Sequence, residues 1–244
     1  MAIFTVTTAQ DVVNPNDGKL SLREAVAQAN ATAAADTIRF ATGLEGQTLV
    51  LTGGELTLSR DVRIDGDRND DGQAVTLDGN DNGRLLRITG GGTDVALADL
   101  TLTNGQTDQD GGAIFLDGRS LRLDGCTIRD CRTTDANAEG GGIFATGGGR
   151  VTVADSAILN NFGYGGGGGI VADSNVSLVV RDSELSGNVG FTGAGAIGVQ
   201  DGSSLVLEDS VLTGNGRIGM DYLAFGGAVG ILNATTTIAR STIA

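Results

Sequence analysis

A repeat of about 27 residues is the feature that most restricts how this chain can fold. Two sets of short motifs recur in step along its second half. The first set, typified by VVRDSELSGN, has spacings of 30, 27, 27 and 31 residues and places apolar residues at Ile128, Ile158, Leu185, Leu212 and Ile243. The second set, typified by GGGIV, has spacings of 29, 27, 27 and 32 residues and places them at Ile114, Ile143, Ile170, Ile197 and Val229. Because two independent motifs advance together, the chain is built from repeated units.

Each unit contains three short runs with the composition of β-strands. In one unit these runs are GIVAD, VSLVVRD and ELSGN, and turn residues separate them. No helical periodicity lies between the runs, and units this short bury a core only by stacking on their neighbours. The sequence therefore predicts an all-β right-handed parallel β-helix with about 27–31 residues per coil. The right-handed form follows the general habit of such folds.

Glycine runs mark one corner of each coil, as in GGGGG at residues 165–169. A phosphate-binding glycine loop would be followed by a helix and usually by a lysine. Here a strand follows each glycine run, and Lys19 is the only lysine in the chain. The glycines are therefore predicted to form sharp corners that need positive φ angles.

Two columns of polar residues recur at the turns. Stacked asparagines can hydrogen-bond from coil to coil, so a structural ladder is predicted for Asn161, Asn188 and Asn215, with Cys131 in the equivalent place one coil earlier. A serine column, with Cys126 aligned to it, contains Ser156, Ser183, Ser210 and Ser241. The chain has no histidine to activate a serine, which excludes Ser-His-Asp chemistry within it.

The two cysteines, Cys126 and Cys131, are five residues apart at opposite ends of one predicted strand. A disulfide tolerates a Cα separation shorter than such an extended span, so an intrachain bond would need the turn to fold back. Their alignment with the serine and asparagine columns indicates small residues that fill space. The sequence leaves their redox state open.

The N-terminal segment contains a helix signal. Ser21 and Glu24 form a capping box, and the apolar residues that follow lie on one helical face. Residues 21–31 are therefore predicted to form an amphipathic helix that covers the open first coil. On this interpretation residues 1–47 hold an N-terminal strand and the capping helix, and residues 48–244 form the β-helix.

The last residues, TTTIARSTIA, stop inside a repeat without a second capping segment. This pattern predicts that the β-helix continues beyond Ala244 in a longer protein. It also predicts that the open last coil could stack end to end on another molecule.

Net charge limits the partners. The chain carries 16 Lys and Arg against 30 Asp and Glu, a net charge of −14, so nucleic acid and anionic membranes are poor partners. No apolar run approaches the ~18 residues of a transmembrane helix, and the N-terminus lacks the pattern of a signal peptide. Export would therefore need a signal outside this chain.

The sequence DGDRNDDG at residues 65–72 is a candidate calcium site. Hard oxygen ligands recur every second residue, at Asp65, Asp67, Asn69 and Asp71. The position where a calcium loop would place a bidentate Glu holds Thr76 instead. The alternative is an acidic, solvated turn between two strands. Calcium is the one cofactor that the sequence predicts.

The loops between the asparagine turn and the glycine corner are the predicted binding surface, because loops on rigid scaffolds commonly carry function. Their acidic residues include Asp135 and Glu139. The residues predicted to bind a ligand, with rings suited to stack on sugars, are Phe162, Tyr164, Phe191, Tyr222 and Phe225, together with Asp108 and Asp110. The alternative is that the rings pack beneath the loops or on one another, as the aligned pair Phe115 and Phe144 could also do.

The motifs GGAI (111–114), GGAV (226–229), LSGN (185–188) and LTGN (212–215) resemble the GGA[ILV] and FxxN repeats of chlamydial polymorphic outer-membrane proteins. Leu stands here where that family has Phe. The segment DGKLSLREAVAQANATAAADTIRF (17–40) resembles the opening of many large bacterial β-helix surface proteins. The resemblance implies an extracellular or surface-attached passenger, often adhesive.

Two functions follow from these observations. The first is a non-catalytic extracellular β-helix domain, an adhesive passenger or stalk that contacts carbohydrate or a cell surface and that calcium could stabilise. The alternative is a polysaccharide lyase or epimerase, since many β-helix proteins act on polysaccharides. General acid–base work on sugars needs paired carboxylates or a basic group near the cleaved bond, and the many aspartates here have a structural reason to lie in turns.

Overall fold

A computed structural model describes residues 1–69, 71–90, 94–218 and 227–244. Over these residues the chain forms an all-β parallel β-solenoid of about seven turns, with a single short α-helix near the N-terminus. The predicted fold class is therefore confirmed. Every strand pair in the described part of the chain is parallel.

The elements follow one another in a regular order. A short 3-10 helix spans Thr42–Leu44 and the α-helix, α1, spans Leu22–Asn30. The strands are β1 (Ile3–Val6), β2 (Asp36–Phe40), β3 (Thr48–Val50), β4 (Leu56–Leu58), β5 (Val62–Asp65), β6 (Val75–Asp78), β7 (Leu86–Ile88), β8 (Asp94–Ala98), β9 (Leu100–Thr103), β10 (Gln106–Thr107), β11 (Ile114–Asp124), β12 (Thr127–Arg129), β13 (Arg132–Thr133), β14 (Ile143–Ala154), β15 (Ala157–Leu159), β16 (Phe162–Gly163), β17 (Ile170–Ala172), β18 (Ser177–Arg181), β19 (Glu184–Ser186), β20 (Val189–Gly190), β21 (Ile197–Gln200), β22 (Ser204–Glu208), β23 (Val211–Thr213), β24 (Gly216–Arg217), β25 (Val229–Leu232), β26 (Thr235–Ala239) and β27 (Thr242–Ile243).

The strands belong to three sheets. The largest sheet has two columns, one from β4 and β7 to β25 and the other from β1 and β2 to β26, and the long strands β11 and β14 take part in both. A second sheet runs from β3 to β27, and a third, of short strands, runs from β10 to β24. The strands β1 and β2 of the N-terminal segment are thus continuous with the sheet of the coils.

The two apolar columns predicted from the repeat form the core in the predicted register. Ile143 pairs with Ile170, which pairs with Ile197, and none of the three side chains is accessible to solvent. The column of the second sheet is equally regular, since Ile158 pairs with Leu185. Alternate side chains of each strand point inward and stack on identical positions one coil away, which fills the interior with aliphatic layers.

A ladder of asparagines runs along one corner. The Nδ2 group of Asn161 donates to Oδ1 of Asn188 at 3.0 Å, and Asn188 donates in the same way to Asn215 at 3.0 Å. Each Oδ1 also accepts from the backbone N–H one coil earlier, including that of Cys131. Asn188 is completely buried. The side chains therefore satisfy buried backbone groups that a turn would otherwise leave unpaired.

The serine column forms a second ladder. The backbone N–H of Ser156 donates to Oγ of Ser183, and that of Ser183 donates to Oγ of Ser210, both at 3.2 Å. Cys126 begins the column, since its backbone N–H donates to Oγ of Ser156. Both cysteines are free and buried, and burial raises the pKa of Cys126 to about 11 and that of Cys131 to about 12. Neither thiol is therefore a ready nucleophile.

Helix α1 covers the first coil. Ser21 is its N-cap, and the side-chain and backbone bonds between Ser21 and Glu24 form the predicted capping box. The buried face of the helix consists of Leu22, Ala25, Val26 and Ala29. Arg23 fixes the helix to the solenoid, because it donates to the buried carboxylate of Asp11 and to backbone oxygens near residue 54.

The glycine corners have two distinct structural causes. A positive φ accounts for the first glycine of a run, such as Gly140 at +67°. The following glycine is needed because coils approach closely: a Cβ on Gly141 would lie 2.4 Å from the backbone of Phe162. The sequence predicted the first cause and missed the second.

Candidate functional site

The outward face of the column from β7 to β25 changes in character along the rod. Outward residues in register are Arg87, Phe115, Phe144, Val171, Gly198 and Gly230. The side chains thus shrink from arginine and phenylalanine to none. Because adjacent parallel strands lie about 4.8 Å apart, these six positions extend over roughly 24 Å. We call this surface the groove face.

The glycine corners fold over part of the groove face. Phe144 and Val171 point away from the core but are buried. Their cover is the preceding loop: a Cβ on Gly140 would lie 2.9 Å from that of Phe144, and Gly167 approaches Val171 more closely still. Glycine is therefore what lets the loops lie on this face.

A cavity opens where the outward side chains disappear. Its walls include Glu139, Val171, Thr192, Gly198 and Gln200, and its volume is about 60 Å³. That volume holds a few water molecules or one small polar group. A Cβ on Gly198 would make an ordinary 3.5 Å contact with Val171, and the φ of Gly198 is not in the left-handed region. The backbone does not require glycine here, so its effect is to leave space.

Glu139 is the ionisable side chain in the cavity wall. Its Oε2 accepts from Nε2 of Gln200 at 2.7 Å, across two coils of the solenoid. Its backbone N–H donates to Oδ1 of Asp110 at 2.9 Å, which fixes the loop. Burial raises the pKa of the Glu139 carboxyl, and the hydrogen bond from Gln200 opposes this while the charges of Asp110, Asp173 and Asp201 add to it. Such a perturbed carboxyl in a cavity marks a candidate functional site.

At the N-terminal end of the groove face, two arginines form ion pairs with one glutamate beside the ring of Phe115. Arg84 and Arg87 both bind Glu55, at 2.5 and 2.7 Å. Both guanidinium groups lie over the ring of Phe115, at 5.3 and 5.0 Å from its centroid. That ring stacks on Phe144 with 6.0 Å between centroids. This end is a rigid, half-exposed platform with one apolar face.

Three of the aromatic residues predicted to bind a ligand lie in or directly after the short strands of the third sheet. Phe162 and Tyr164 pack edge to face, with 6.0 Å between ring centroids, and Tyr164 lies 4.8 Å from Phe191. All three are partly exposed. The rings stack on one another, as the alternative interpretation held, and contact with sugars stays a prediction. Tyr222 and Phe225 lie outside the described residues.

The two predicted acidic ligand residues differ in their roles. Asp108 is exposed and lines a shallow cavity with Arg87 and Phe115 on the groove face. Asp110 uses its carboxylate to hold the backbone of Glu139 and its carbonyl to accept from Arg84. Asp110 therefore shapes the site, and Asp108 is available to a ligand.

The predicted calcium motif forms a compact turn. The buried carboxylate of Asp67 accepts from the backbone N–H groups of Asp71 and Gly72. Asn69 donates to Asp71, and Asp65 lies 3.6 Å from Arg63. Within the described ranges, no three His, Cys, Asp or Glu side chains are placed to hold a metal ion. Calcium binding by this turn stays a prediction.

Sequence reasoning placed Glu139 in a binding loop but did not connect it with Gln200 or Gly198. Those residues are 61 and 59 positions further along the chain, and only the register of β14, β17 and β21 brings them together. The one signal available was the loss of the side chain at the last position of the GAIG motif, Gly198, where earlier repeats have Phe or Val.

Within the described residues, no helix is long and apolar enough to cross a membrane. The last strands expose apolar side chains, including Ile231 and Ile238, but stacking between molecules stays a prediction. The narrower resemblance to chlamydial repeats also stays a prediction.

Comparison with known proteins places the repeat in a family. No curated protein matches the chain. The family model described as "Right handed beta helix region" matches residues 56–243, which is most of the chain. With its stacked parallel strands in the matching region, the chain belongs to the right-handed β-helix family.

Proposed function

We propose that this chain is the β-helix domain of a secreted or cell-surface protein, and that it binds an extended carbohydrate chain along the groove face. The observation that carries the proposal is a row of cavities along the groove face: two around Glu55, Arg87 and Phe115, and a separate one between Glu139 and Gln200. Cavities spaced along stacked strands suit a polymer that lies parallel to the rod and contacts the protein at several points.

The chemistry of the groove supports a carbohydrate in particular. Sugars present apolar ring faces and many hydroxyl groups, and the groove offers the ring of Phe115 beside the polar side chains of Asp108 and Gln109. Protein loops fixed on a rigid scaffold bind with little loss of conformational entropy. An adhesive role follows naturally, since a solenoid holds such a groove in one fixed direction.

A blocking substitution tests the proposal. Gly198→Leu would place an isobutyl group in the groove, whereas Gly216→Leu would place it on β24 of the third sheet, where a Cβ meets nothing within 4 Å. We expect the chain to retain particular oligosaccharides on a glycan array, with a loss of about tenfold or more in affinity for Gly198→Leu only. Equal binding by both variants would overturn the proposal, as would the absence of any glycan bound.

The raised pKa of the Glu139 carboxyl favours a second candidate, an enzyme that uses Glu139 as a general acid or base on a glycan in the same groove. Turnover distinguishes the two functions. An enzyme would release shortened, unsaturated or epimerised sugars, and Glu139→Gln would abolish this with glycan binding retained. A binding domain would return every glycan unchanged, as we propose.

A further inference from the structure

We propose that the cavity between Glu139 and Gln200 is a subsite for the protonated amino group of an amino sugar. This inference rests on the proposed glycan-binding function and names the chemical class of one sugar unit. The groove would hold the polymer, and the cavity would select a charged substituent that projects from it.

The size of the cavity indicates what kind of group enters. A volume of about 60 Å³ suits one small polar substituent or a few water molecules. Gly198 leaves this space open although its backbone would accept a side chain. Val171 and Leu232 supply apolar walls on either side. A substituent with a compact charged head therefore fits.

The charge of the cavity indicates the sign of that group. Asp110, Asp173 and Asp201 all raise the pKa of the Glu139 carboxyl through their charges, so each contributes negative potential at the site. No arginine or lysine lines the cavity among the residues that the structure describes. A carboxylate or sulfate group of an acidic polysaccharide would be repelled here, and a cation would be attracted.

Hydrogen bonding leaves one oxygen of Glu139 available. Oε2 accepts from Gln200, and within the described ranges no group donates to Oε1, which lies where glycine at position 166 leaves room: a Cβ there would be 3.2 Å from it. An ammonium group brings three donors and a positive charge, so one of its N–H groups could donate to Oε1 of Glu139.

A metal ion would not serve equally well. Calcium takes six to eight oxygen ligands, and no three acidic side chains of the described residues are grouped to hold a metal. An ammonium ion needs only one carboxylate and neutral acceptors. Pairing with an ammonium ion would favour the ionised form of Glu139 and so oppose the rise in the pKa of its carboxyl that burial causes.

Two oligosaccharides that differ by acetylation alone provide the test. Chitosan and chitin oligomers of equal length would be titrated into the full chain by calorimetry. We expect the chitosan oligomer to bind about tenfold or more tightly than its acetylated counterpart. Methylammonium would be titrated as a probe of the amine alone, with calcium as a second cation.

Two pairs of variants provide the controls. Glu139→Gln keeps an acceptor for Gln200 and removes the charge, whereas Glu184→Gln makes the same change at an exposed position on β19 of the second sheet. Gly198→Ala places a methyl group in the cavity, and Gly216→Ala places one on β24. We expect the preference for chitosan over chitin to disappear in Glu139→Gln and Gly198→Ala. It should persist in the two control variants, Glu184→Gln and Gly216→Ala.

Each outcome has one meaning. Equal affinity for the two oligomers overturns the amine subsite and leaves glycan binding intact. A chitosan preference that survives Glu139→Gln also overturns it, because the acidic surface as a whole would then attract the polymer. Stronger binding of calcium than of methylammonium overturns the choice of ligand. Methylammonium binding that depends on Glu139, without binding of either oligomer, supports the subsite and overturns the groove function.

Discussion

The asparagine corner and the groove face are built on the same coils and differ in almost every other respect. At the corner, one residue type recurs at 27-residue intervals and the side chains complete one another's hydrogen bonds, as Asn161 and Asn188 do. On the groove face, aligned positions change from Phe144 through Val171 to Gly198, and the buried Oδ1 of Asp173 has no donor in the described ranges.

The difference teaches where a solenoid can acquire function. A buried asparagine that pairs with the coils above and below cannot change without leaving several polar groups unsatisfied. An outward residue on the groove face contacts its loop and its neighbours on that face, as Phe115 contacts Phe144, but takes no part in a ladder that satisfies buried backbone groups, so its substitution alters local space and charge. Uniform positions therefore maintain the stack, and the places where the repeat stops being uniform are free to form a site.

The largest effect should come from comparing two glycines. Gly141→Ala puts a Cβ 2.4 Å from the backbone of Phe162, whereas Gly198→Ala makes an ordinary contact with Val171. We expect the first substitution to lower the free energy of unfolding by more than about 4 kcal/mol and the second to change it by about 0.5 kcal/mol or less. Urea denaturation followed by circular dichroism measures both. Similar stabilities for the two variants would show that the glycine corner and the groove face do not differ in how tightly they pack.

The next effect concerns the asparagine ladder. Asn188→Ala would remove the acceptor of the Asn161 backbone N–H and the donor to the Ile158 carbonyl, all of which are buried. We expect a loss of about 3 kcal/mol or more, because each unsatisfied buried group costs about 1–3 kcal/mol. The matched control is Asn137→Ala, an exposed asparagine that bonds only to Asp135 through its side chain, with an expected loss of about 0.5 kcal/mol or less.

Equal losses for the two asparagine variants would mean that the ladder adds nothing beyond backbone pairing. Hydrogen exchange offers an independent measurement, since the amide of Cys131 donates to Asn161 one coil away and should lose protection if the break spreads along the stack.

The sequence was sufficient for the corner and insufficient for the groove for one physical reason. A ladder repeats a residue at the period of the coil, so Asn161, Asn188 and Asn215 are visible as a pattern and their register follows from it. In the site, Glu139 and Gln200 are joined by a hydrogen bond that occurs once, so no periodic pattern in the sequence predicts it. The loss of side chains at Gly198 was visible, but its meaning depends on which face the strand exposes.

The smallest effect has the opposite sign and concerns Glu139. In the folded chain the pKa of the Glu139 carboxyl is raised above its ordinary value of 4.5, chiefly because of burial. Below that value both folded and unfolded chains are protonated, and folding carries no penalty. As the pH rises, the unfolded chain ionises first, so this group lowers stability progressively until the pH passes the folded pKa, and the penalty is constant beyond it.

Glu139→Gln should therefore match the unsubstituted chain in acid and become more stable than it as the pH rises above the ordinary carboxyl pKa. Urea denaturation over a range of pH measures this, with Glu184→Gln as the exposed counterpart that should change stability by about 0.5 kcal/mol or less at every pH. Substitution of Glu139 would then raise the stability of the chain, whereas each substitution in the asparagine ladder would lower it. If Glu139→Gln were destabilising at all pH values, Glu139 would belong with the asparagines as a structural residue, and the distinction between the two regions would fail.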